Sequence, residues 1–310
     1  MTYTIGIDMG GTNTDVGFVA ADGHIALRSS MPTSGHTDFA VYVEQLAALL
    51  KEMEMQLEKI DGEWPVVDGI GIGAPNANQH TGCIENAVNL EMHGVLDFAA
   101  QLSRFRSEPV VVGNDANAAA YGELIYGAAR GMKSIIMFTL GTGVGSGIVI
   151  DGRLVLGRNG NAGELGHATL LPGGRLCSCG RRGCLEAYVS ARGIVQTYRE
   201  MKGLSDGDEI SCREIGDLAN SGDKTALTVW RTVAWQLALA MANAVAFSAP
   251  EAVFVMGGPT AVGAPLLRPL ETEFNRQLLS IYKGTCRLLT SQLPTNDVAI
   301  LGAAALLKMK

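Results

Sequence analysis

A histidine and three cysteines lie within eighteen residues of this sequence: His167, Cys177, Cys179 and Cys184. Three thiolates and one imidazole complete the four-coordinate shell of a structural zinc site, which leaves no position open for water. The spacing differs from that of zinc fingers, because Cys-x-Cys is tighter than their usual spacing and the histidine comes first. The alternative is a chance group of buried or disulfide-bonded cysteines. The pattern predicts a structural Zn²⁺ that holds this segment in place.

Two glutamates flank the cysteines, Glu164 on one side and Glu186 on the other. A segment that is clamped by a metal and carries two carboxylates is typical of a binding surface. The alternative is that both are ordinary solvated residues beside a metal loop.

Two turns are rich in glycine and threonine, Gly10-Gly11-Thr12-Asn13 and Gly141-Thr142-Gly143, and each follows a predicted strand. Glycine turns let backbone N–H groups approach an anion closely. Two such turns facing across a cleft would bind a polyphosphate from both sides, although either turn alone could be a plain hairpin. The P-loop pattern is absent, and no G-x-G-x-x-G follows a strand, so neither of those nucleotide folds is expected.

Two aspartates stand where strands end. Asp8 closes the first predicted strand, where a lone carboxylate suits Mg²⁺ held through water, or simply caps the turn. Asn114-Asp115 lies where a strand meets a helix. Asp115 could accept the proton of an attacking hydroxyl in phosphoryl transfer. The alternative is a helix N-cap, for which Asn and Asp are both preferred.

These residues need elements to position them, and the predicted order of elements repeats. Each half begins with a three-stranded meander around a glycine turn. Thr232–Pro250 is free of charge but rich in alanine, which indicates a buried core helix rather than a membrane span. The predicted strands are 4–7, 16–20, 25–29, 67–72, 110–113, 134–140, 147–150, 153–156 and 251–256; the predicted helices are 38–59, 96–105, 115–129, 187–201, 211–220, 225–248, 265–280 and 299–307.

Composition narrows the class of protein. The chain of 310 residues, 47% of them hydrophobic, is long enough for two packed lobes. A net charge of −7 argues against nucleic-acid and anionic-membrane partners. Cys83, Cys212 and Cys286 are scattered, which suits a reducing cytosol. The N-terminal residues have neither the basic nor the apolar stretch of a signal peptide, so we expect a cytoplasmic protein.

Taken together, the chain resembles the ROK family of bacterial sugar kinases, within the actin/hexokinase-like superfamily. The resemblance runs from Asp8 to the last helix, and its zinc stretch is the most specific part. It rests on the segments DMGGT (8–12), NDANAAA (114–120), LGTGVG (140–145), GELGH (163–167), CSCG (177–180), GCLE (183–186) and MGGP (256–259).

The resemblance implies a duplicated, two-lobed α/β fold of ribonuclease H-like type, with a central cleft and a zinc-stabilised loop. The implied smaller lobe is 1–115 plus 298–310, and the implied larger lobe is 116–297. ATP, Mg²⁺ and a hexose are the implied ligands, and a homodimer or homotetramer is the implied assembly. In this reading Asp115 is the catalytic base on the sugar 6-hydroxyl; Asp8, Gly10–Asn13 and Gly141–Gly143 handle phosphates and Mg²⁺; Gly257 and Gly258 border adenosine; and Asn89, Asn114, Asp115, Glu164, His167 and Glu186 line the sugar pocket.

The sequence departs from the family at two places that bear on the sugar. Many relatives have Pro-Gly where this chain has Pro75-Asn76, and the Asn76 side chain either reaches the hexose or only shapes the turn. Relatives often carry an aromatic residue just after Asn89-Leu90, where Glu91 and Met92 stand here. Glucose is the expected substrate; the alternatives are a kinase for N-acetylated hexosamines or a broad hexokinase.

Two other classes compete with an enzyme. A sugar-responsive repressor would need a DNA-binding helix-turn-helix before the first glycine turn, and Asp8 leaves only seven residues for it. A catalytically inactive sugar sensor would be expected to have lost Asp115 or a glycine turn, and both are present.

Overall fold

The computed structural model describes residues 1–87, 89–205, 209–294 and 296–309. They form two compact units. Unit 1 contains Met1–Gly131, Gly152–Ala162 and Gln292–Lys310, and unit 2 contains Met132–Asp151 and Gly163–Ser291. These bounds differ from the implied boundary at residue 115, because the helix that begins there packs against the last helix of the chain and so belongs to unit 1.

The elements of unit 1 are β1 (Thr2–Met9), β2 (Asn13–Ala20), β3 (Ile25–Pro32), α1 (Phe39–Asp61), β4 (Val66–Ala74), β5 (Ala77–Asn78), β6 (Cys83–Glu85), β7 (Val95–Asp97), α2 (Phe98–Leu102), β8 (Val110–Asn114), α3 (Asp115–Tyr126), β11 (Arg153–Leu154) and α9 (Val298–Ala305). Its main sheet has the order β3-β2-β1-β4-β8. Strands β1 and β2 are antiparallel, whereas β1, β4 and β8 are mutually parallel.

An alternation of isoleucine and glycine shapes this sheet. In β1, Ile5 and Ile7 are fully buried in the main apolar core of the unit. The glycines of the alternation face α9 instead. A Cβ added at Gly6 would strike the Ile300 carbonyl, and one at Gly71 would strike the Ala303 carbonyl. The period of two therefore buries one face in side chains and leaves the other flat enough for close helix packing.

The elements of unit 2 are β9 (Ile135–Leu140), β10 (Val144–Ile150), α4 (Glu186–Val189), α5 (Ala191–Lys202), α6 (Cys212–Asn220), α7 (Lys224–Ser248), β12 (Ala252–Gly257), α8 (Ala264–Gln277) and β13 (Arg287–Thr290). Four strands follow the order β10-β9-β12-β13. Strands β9 and β10 are antiparallel, and β9, β12 and β13 are parallel, which repeats the pattern of unit 1.

Two predicted helices differ from the structure, and capping side chains explain both. The segment predicted as a helix at 96–105 is strand β7 followed by α2, because Asp97 accepts a hydrogen bond from the Ala100 N–H and starts the helix there. The segment predicted at 187–201 is divided into α4 and α5 by Ser190, whose hydroxyl accepts from the Gly193 N–H.

Helix α7 contains the charge-free segment. Trp230, Val233, Leu237 and Met241 are among its buried residues, as expected for a core helix. Among the described residues, no helix combines the length and the apolar character needed to cross a membrane.

Candidate active site

The carboxyl ends of three parallel strands meet at one edge of the unit 1 sheet. The register pairs Asp8 of β1 with Gly73 of β4, and Ala74 of β4 with Asn114 of β8. Ligands of open α/β sheets bind outside such an edge. The edge carries Asp8 and Asp115, and Asn76 is the second residue after the end of β4.

Asn114 and Asp115 divide the two predicted roles between them. Asn114 is the N-cap of α3: its Oδ1 accepts from the Ala116 N–H at 2.9 Å and the Asn117 N–H at 3.4 Å. Asp115 is the first helical residue, and its Oδ1 also accepts from the Ala116 N–H, at 2.7 Å. The Asp115 side chain is nevertheless exposed. The cap is therefore made mainly by the asparagine, and the aspartate keeps oxygen capacity for a ligand.

Both aspartates at this edge hold protons more tightly than usual. Desolvation, then the charges of Asp115 and Asp15, raise the pKa of Asp8 to about 7. Desolvation by the surrounding protein also raises the pKa of Asp115, although hydrogen bonds from backbone N–H groups oppose the shift. Asp115 still contacts water, so its desolvation comes from nearby protein rather than from full enclosure. Groups with such shifts cluster at functional sites.

The first glycine turn is closed by its own backbone hydrogen bonds and packs against Asn89, a residue that is predicted to bind the sugar. The Gly10 N–H donates to the Asn13 carbonyl at 2.9 Å, and the Thr12 carbonyl accepts from the Thr33 N–H at 2.8 Å. A Cβ at Gly11 would lie 2.6 Å from the Asn89 carbonyl oxygen. Glycine is thus required where the predicted phosphate turn meets the Asn89 segment.

Asn76 is held by its own turn. It has a φ of 52°, in the left-handed region that glycine favours and asparagine tolerates. Its amide donates to the Glu85 and Asn86 carbonyls, at 3.2 and 3.4 Å. Of its two predicted roles, shaping the turn is the one that the structure supports; contact with a hexose stays a prediction.

In unit 2, the second glycine turn and the two glycines at the end of β12 share an edge. The register pairs Gly257 with Leu140, directly before the turn. Gly257 has a φ of 110°, and a Cβ there would strike the Leu140 carbonyl. Gly141, Thr142 and Gly258 line a cavity of about 700 Å³, with walls that include Trp230 and Pro259. A cavity of this size can hold a nucleoside.

The histidine and three cysteines converge. The donor atoms of His167, Cys177, Cys179 and Cys184 all lie within 4.8 Å of one another. Tetrahedral zinc separates two thiolates by about 3.8 Å and a thiolate from a nitrogen by about 3.5 Å. The Cys179 and Cys184 sulfurs are 3.7 Å apart, and Cys177 Sγ is 3.6 Å from His167 Nδ1. All the cysteines are free of disulfides, so the donor set fits zinc.

Glu186 joins the segment 177–184, called the cysteine segment below, to the second glycine turn. It is buried, and its Oε1 accepts from the Ser178 hydroxyl at 2.6 Å, while its Oε2 accepts from the Val144 N–H at 3.1 Å. A Cβ at Gly143 would lie 2.6 Å from Oε2. Burial alone would raise the pKa of Glu186, but the hydrogen bonds from Ser178 and Val144 bring it below its usual value.

Strand β10 also fixes the turn around Glu164. The Ser146 hydroxyl donates to the Gly163 carbonyl and accepts from the Leu165 N–H. Gly166 packs so closely on Val144 that a Cβ there would strike the Val144 carbonyl. The exposed Glu164 is therefore held in a short, well-defined turn next to His167.

Each unit thus gathers part of the predicted site. Sequence reasoning missed Asp15, Ser146 and Ser178. Asp15 could have been found by pairing residues across the first hairpin, because the register places it opposite Asp8. The two serines carry no sequence signal of their own. Unit 1 holds Asp8, Gly10, Gly11, Thr12, Asn13, Asn76, Asn89, Asn114 and Asp115; unit 2 holds Gly141, Thr142, Gly143, Glu164, His167, Cys177, Cys179, Cys184, Glu186, Gly257 and Gly258.

Comparison with known proteins places the chain in a family. The sequence model of the ROK family matches residues 4–310. A glucokinase of Halalkalibacterium halodurans is 34% identical, over 99% of this chain and 96% of the relative. The ROK hexokinase structure from Thermus thermophilus superposes with a TM-score of 0.83 at 30% identity, covering 98% and 97% of the two chains. A ROK family glucokinase from Streptomyces griseus, in complex with glucose and AMPPNP, gives a TM-score of 0.77 at 31% identity, covering 98% of each chain.

With these glucokinase and hexokinase relatives matched over nearly the whole chain, the protein is a sugar kinase of mixed α/β fold. The chain belongs to the ROK family, which confirms the family and fold predicted from its motifs.

Proposed function

We propose that this kinase transfers the γ-phosphoryl group of ATP to the 6-hydroxyl of a hexose, with glucose as the preferred sugar. The observation that carries the proposal is the position of Asp115, an accessible carboxylate at the start of α3 beside Asp8. The Streptomyces griseus relative, solved with glucose and AMPPNP, supports both substrates.

Asp115 acts as the general base. The 6-hydroxyl oxygen attacks the γ-phosphorus, its proton passes to the Asp115 carboxylate, and the bond from the γ-phosphorus to the bridging oxygen breaks to release ADP. The raised pKa of Asp115 makes its carboxylate a better proton acceptor than an ordinary aspartate. Because Asn114 caps the N-terminus of α3, the base at the first position of this helix is attached to a rigid element.

Asp8 would hold the magnesium ion through water. When bound, the ion would offset the charge that develops on the phosphates. The residues fit this role, because the neighbouring carboxylates that raise the pKa of Asp8 also favour a cation at this edge.

The two glycine turns bind the phosphates through backbone N–H groups. Gly10–Asn13 serve in unit 1, and Gly141–Gly143 serve in unit 2. The cavity lined by Gly141, Thr142 and Gly258 takes the adenosine, and its Trp230 wall offers an apolar surface to the base. Gly257, directly before Gly258, lets β12 lie close to Leu140, because a Cβ there would strike the Leu140 carbonyl.

Six side chains bind the sugar: those of Asn89, Asn114, Asp115, Glu164, His167 and Glu186. Carboxylates and amides suit a hexose, whose hydroxyls both donate and accept, and no cation is required. Zn²⁺ would be held by Cys177, Cys179, Cys184 and His167 Nδ1, and when bound it would fix the segment between the two glutamates. The other imidazole nitrogen of His167 is then available to a sugar hydroxyl. Homo-oligomer formation and a cytoplasmic location also stay predictions.

A sugar panel with ATP tests the proposal. Purified protein is incubated with Mg²⁺, ATP and each of glucose, mannose, N-acetylglucosamine and N-acetylmannosamine, and products are read by mass and by NMR of the phosphorylated carbon. We expect glucose 6-phosphate with the highest kcat/KM. A higher kcat/KM for either N-acetylated sugar would replace glucose with the hexosamine alternative, and phosphorylation at another carbon would contradict the assigned geometry.

A further inference from the structure

The cysteine segment contains a hydroxyl with a specific partner. Ser178 lies between Cys177 and Cys179, and its Oγ donates to Glu186 Oε1 at 2.6 Å. Ser178 is exposed and Glu186 is buried, so the serine hydroxyl approaches the carboxylate from the protein surface. A hydrogen bond to an ionised group at this distance is of the strong class.

The opposite oxygen of the same carboxylate is held from the other side. Glu186 Oε2 accepts from the Val144 N–H at 3.1 Å, directly after the second glycine turn. A carboxylate held at both oxygens cannot rotate about its last bond without losing one contact. Each oxygen keeps a second lone pair, so two sites remain on Glu186 for a ligand.

Cys177 cannot replace the serine. Its sulfur is 3.6 Å from Glu186 Oε1 and could donate as a thiol. A metal-bound cysteine is a thiolate, however, and has no proton to donate. With the metal in place, Ser178 is the donor that the cysteine segment offers to this oxygen among the described residues.

We propose that Ser178 is a positioning residue for sugar binding: its hydroxyl fixes the Glu186 carboxylate between the cysteine segment and the second glycine turn, in the orientation that accepts a hexose hydroxyl. The inference rests on the proposed function, in which Glu186 binds the sugar. It separates two tasks within three residues, since Cys177 and Cys179 would bind metal and Ser178 orients Glu186.

The test compares Ser178→Ala with Ser178→Thr. Alanine removes the hydroxyl, whereas threonine keeps it, and the exposed position has room for the extra methyl group. Ser103→Ala is the matched control, because Ser103 is an exposed serine of unit 1 whose hydroxyl, among the described residues, bonds to the Ala99 carbonyl of its own helix. Each protein is assayed for glucose Kd by calorimetry without nucleotide, KM for ATP, zinc per chain and thermal midpoint.

We expect Ser178→Ala to weaken glucose binding by about tenfold to a hundredfold, the range for a lost hydrogen bond to a charged group. Zinc content and KM for ATP should stay at wild-type values, and Ser178→Thr and Ser103→Ala should bind glucose like wild type. A purely structural role would instead move the zinc content or the thermal midpoint together with the Kd.

The outcomes separate the two proposals. If the wild type binds glucose and Ser178→Ala binds it equally well, the positioning role is wrong while the kinase assignment stands. Loss of zinc in Ser178→Ala, or failure of threonine to restore binding, also overturns the positioning role. If the wild type neither binds nor phosphorylates any hexose of the panel, the proposed function fails and this inference fails with it.

Discussion

The two glycine turns occupy equivalent places in two similar sheets, yet their surroundings differ. Each joins the antiparallel strands of a hairpin and stands beside a parallel strand. In unit 1 the position two residues before the turn is Asp8, paired with Asp15 across the hairpin. In unit 2 the equivalent pair is Thr139 and Gly145. The same backbone therefore carries carboxylates in one unit and uncharged residues in the other.

The difference suggests a division of labour. Unit 1 supplies two aspartates whose pKa values are raised, Asp8 and Asp115, which suits proton transfer and a divalent cation. Unit 2 supplies a cavity and a segment whose histidine and cysteines could hold a metal ion, which suits the binding of ligands. The units share one feature: a glycine of each turn packs against a residue that is predicted to bind the sugar. Gly11 packs against Asn89, and Gly143 packs against Glu186. Four changes would break or sharpen this contrast.

The largest effect is expected from Asp115→Asn in unit 1. Asparagine keeps the shape of the side chain but cannot accept the proton, and a general base contributes about 10²- to 10⁴-fold to rate. We expect kcat to fall by that factor while the glucose Kd changes by less than about threefold. Steady-state kinetics and calorimetry measure the two quantities. Near-normal turnover in this variant would show that Asp115 is not the general base.

Cys184→Ser in unit 2 should remove zinc and weaken sugar binding together. Cys184 is fully buried within the donor cluster, so its loss opens the shell. The segment is also held by Arg175, which donates to Thr197 at 3.0 Å and to the Gly193 carbonyl at 3.2 Å. We therefore expect a folded protein with glucose affinity lowered by about tenfold to a hundredfold. One zinc per chain in this variant, measured by elemental analysis, would contradict the assigned ligand.

Gly143→Ala should weaken glucose binding through Glu186. The new Cβ would lie 2.6 Å from Oε2, so the carboxylate must move, whereas a Cβ at Gly141 meets nothing within 4 Å. Gly141→Ala is thus a matched control within the same turn. Without nucleotide, we expect about a tenfold weaker glucose Kd for Gly143→Ala and no change for Gly141→Ala. Equal effects would show that the turn, not the glutamate, is responsible.

The smallest effect should be the pH dependence of Asp8. Its folded pKa of about 7 lies above its ordinary value of 3.8, so the folded metal-free protein holds the extra proton between these values. Stability should therefore fall as pH rises through this window, and Asp8→Asn should remove that slope. Asp15→Asn removes one of the charges that raise the pKa of Asp8, so it should shift the slope to lower pH. For both variants, the slope is measured from thermal midpoints of the metal-free protein between pH 4 and 8. An unchanged slope in Asp8→Asn would exclude this aspartate as its source.

Much of the site was predictable because its parts are local. The glycine turns, the strand-ending Asp8 and the cap at Asn114-Asp115 follow from residue types within a few positions of each other. The cysteine and histidine set was predictable because its chemistry admits few partners. Asn76 was only half predictable, since its turn role depends on hydrogen bonds to residues nine and ten positions later.

The sequence by itself determined which groups are available: the metal donors, the glycine turns, the aspartates and the family to which they belong. Only the tertiary structure decided which of them touch. The register of β1 and β2 placed Asp15 opposite Asp8, and packing brought Glu186 to the Val144 N–H, 42 residues away. The physical reason is that local motifs are set by backbone conformation and side-chain chemistry. Long-range contacts depend instead on how strands pair and on where missing side chains allow a close approach.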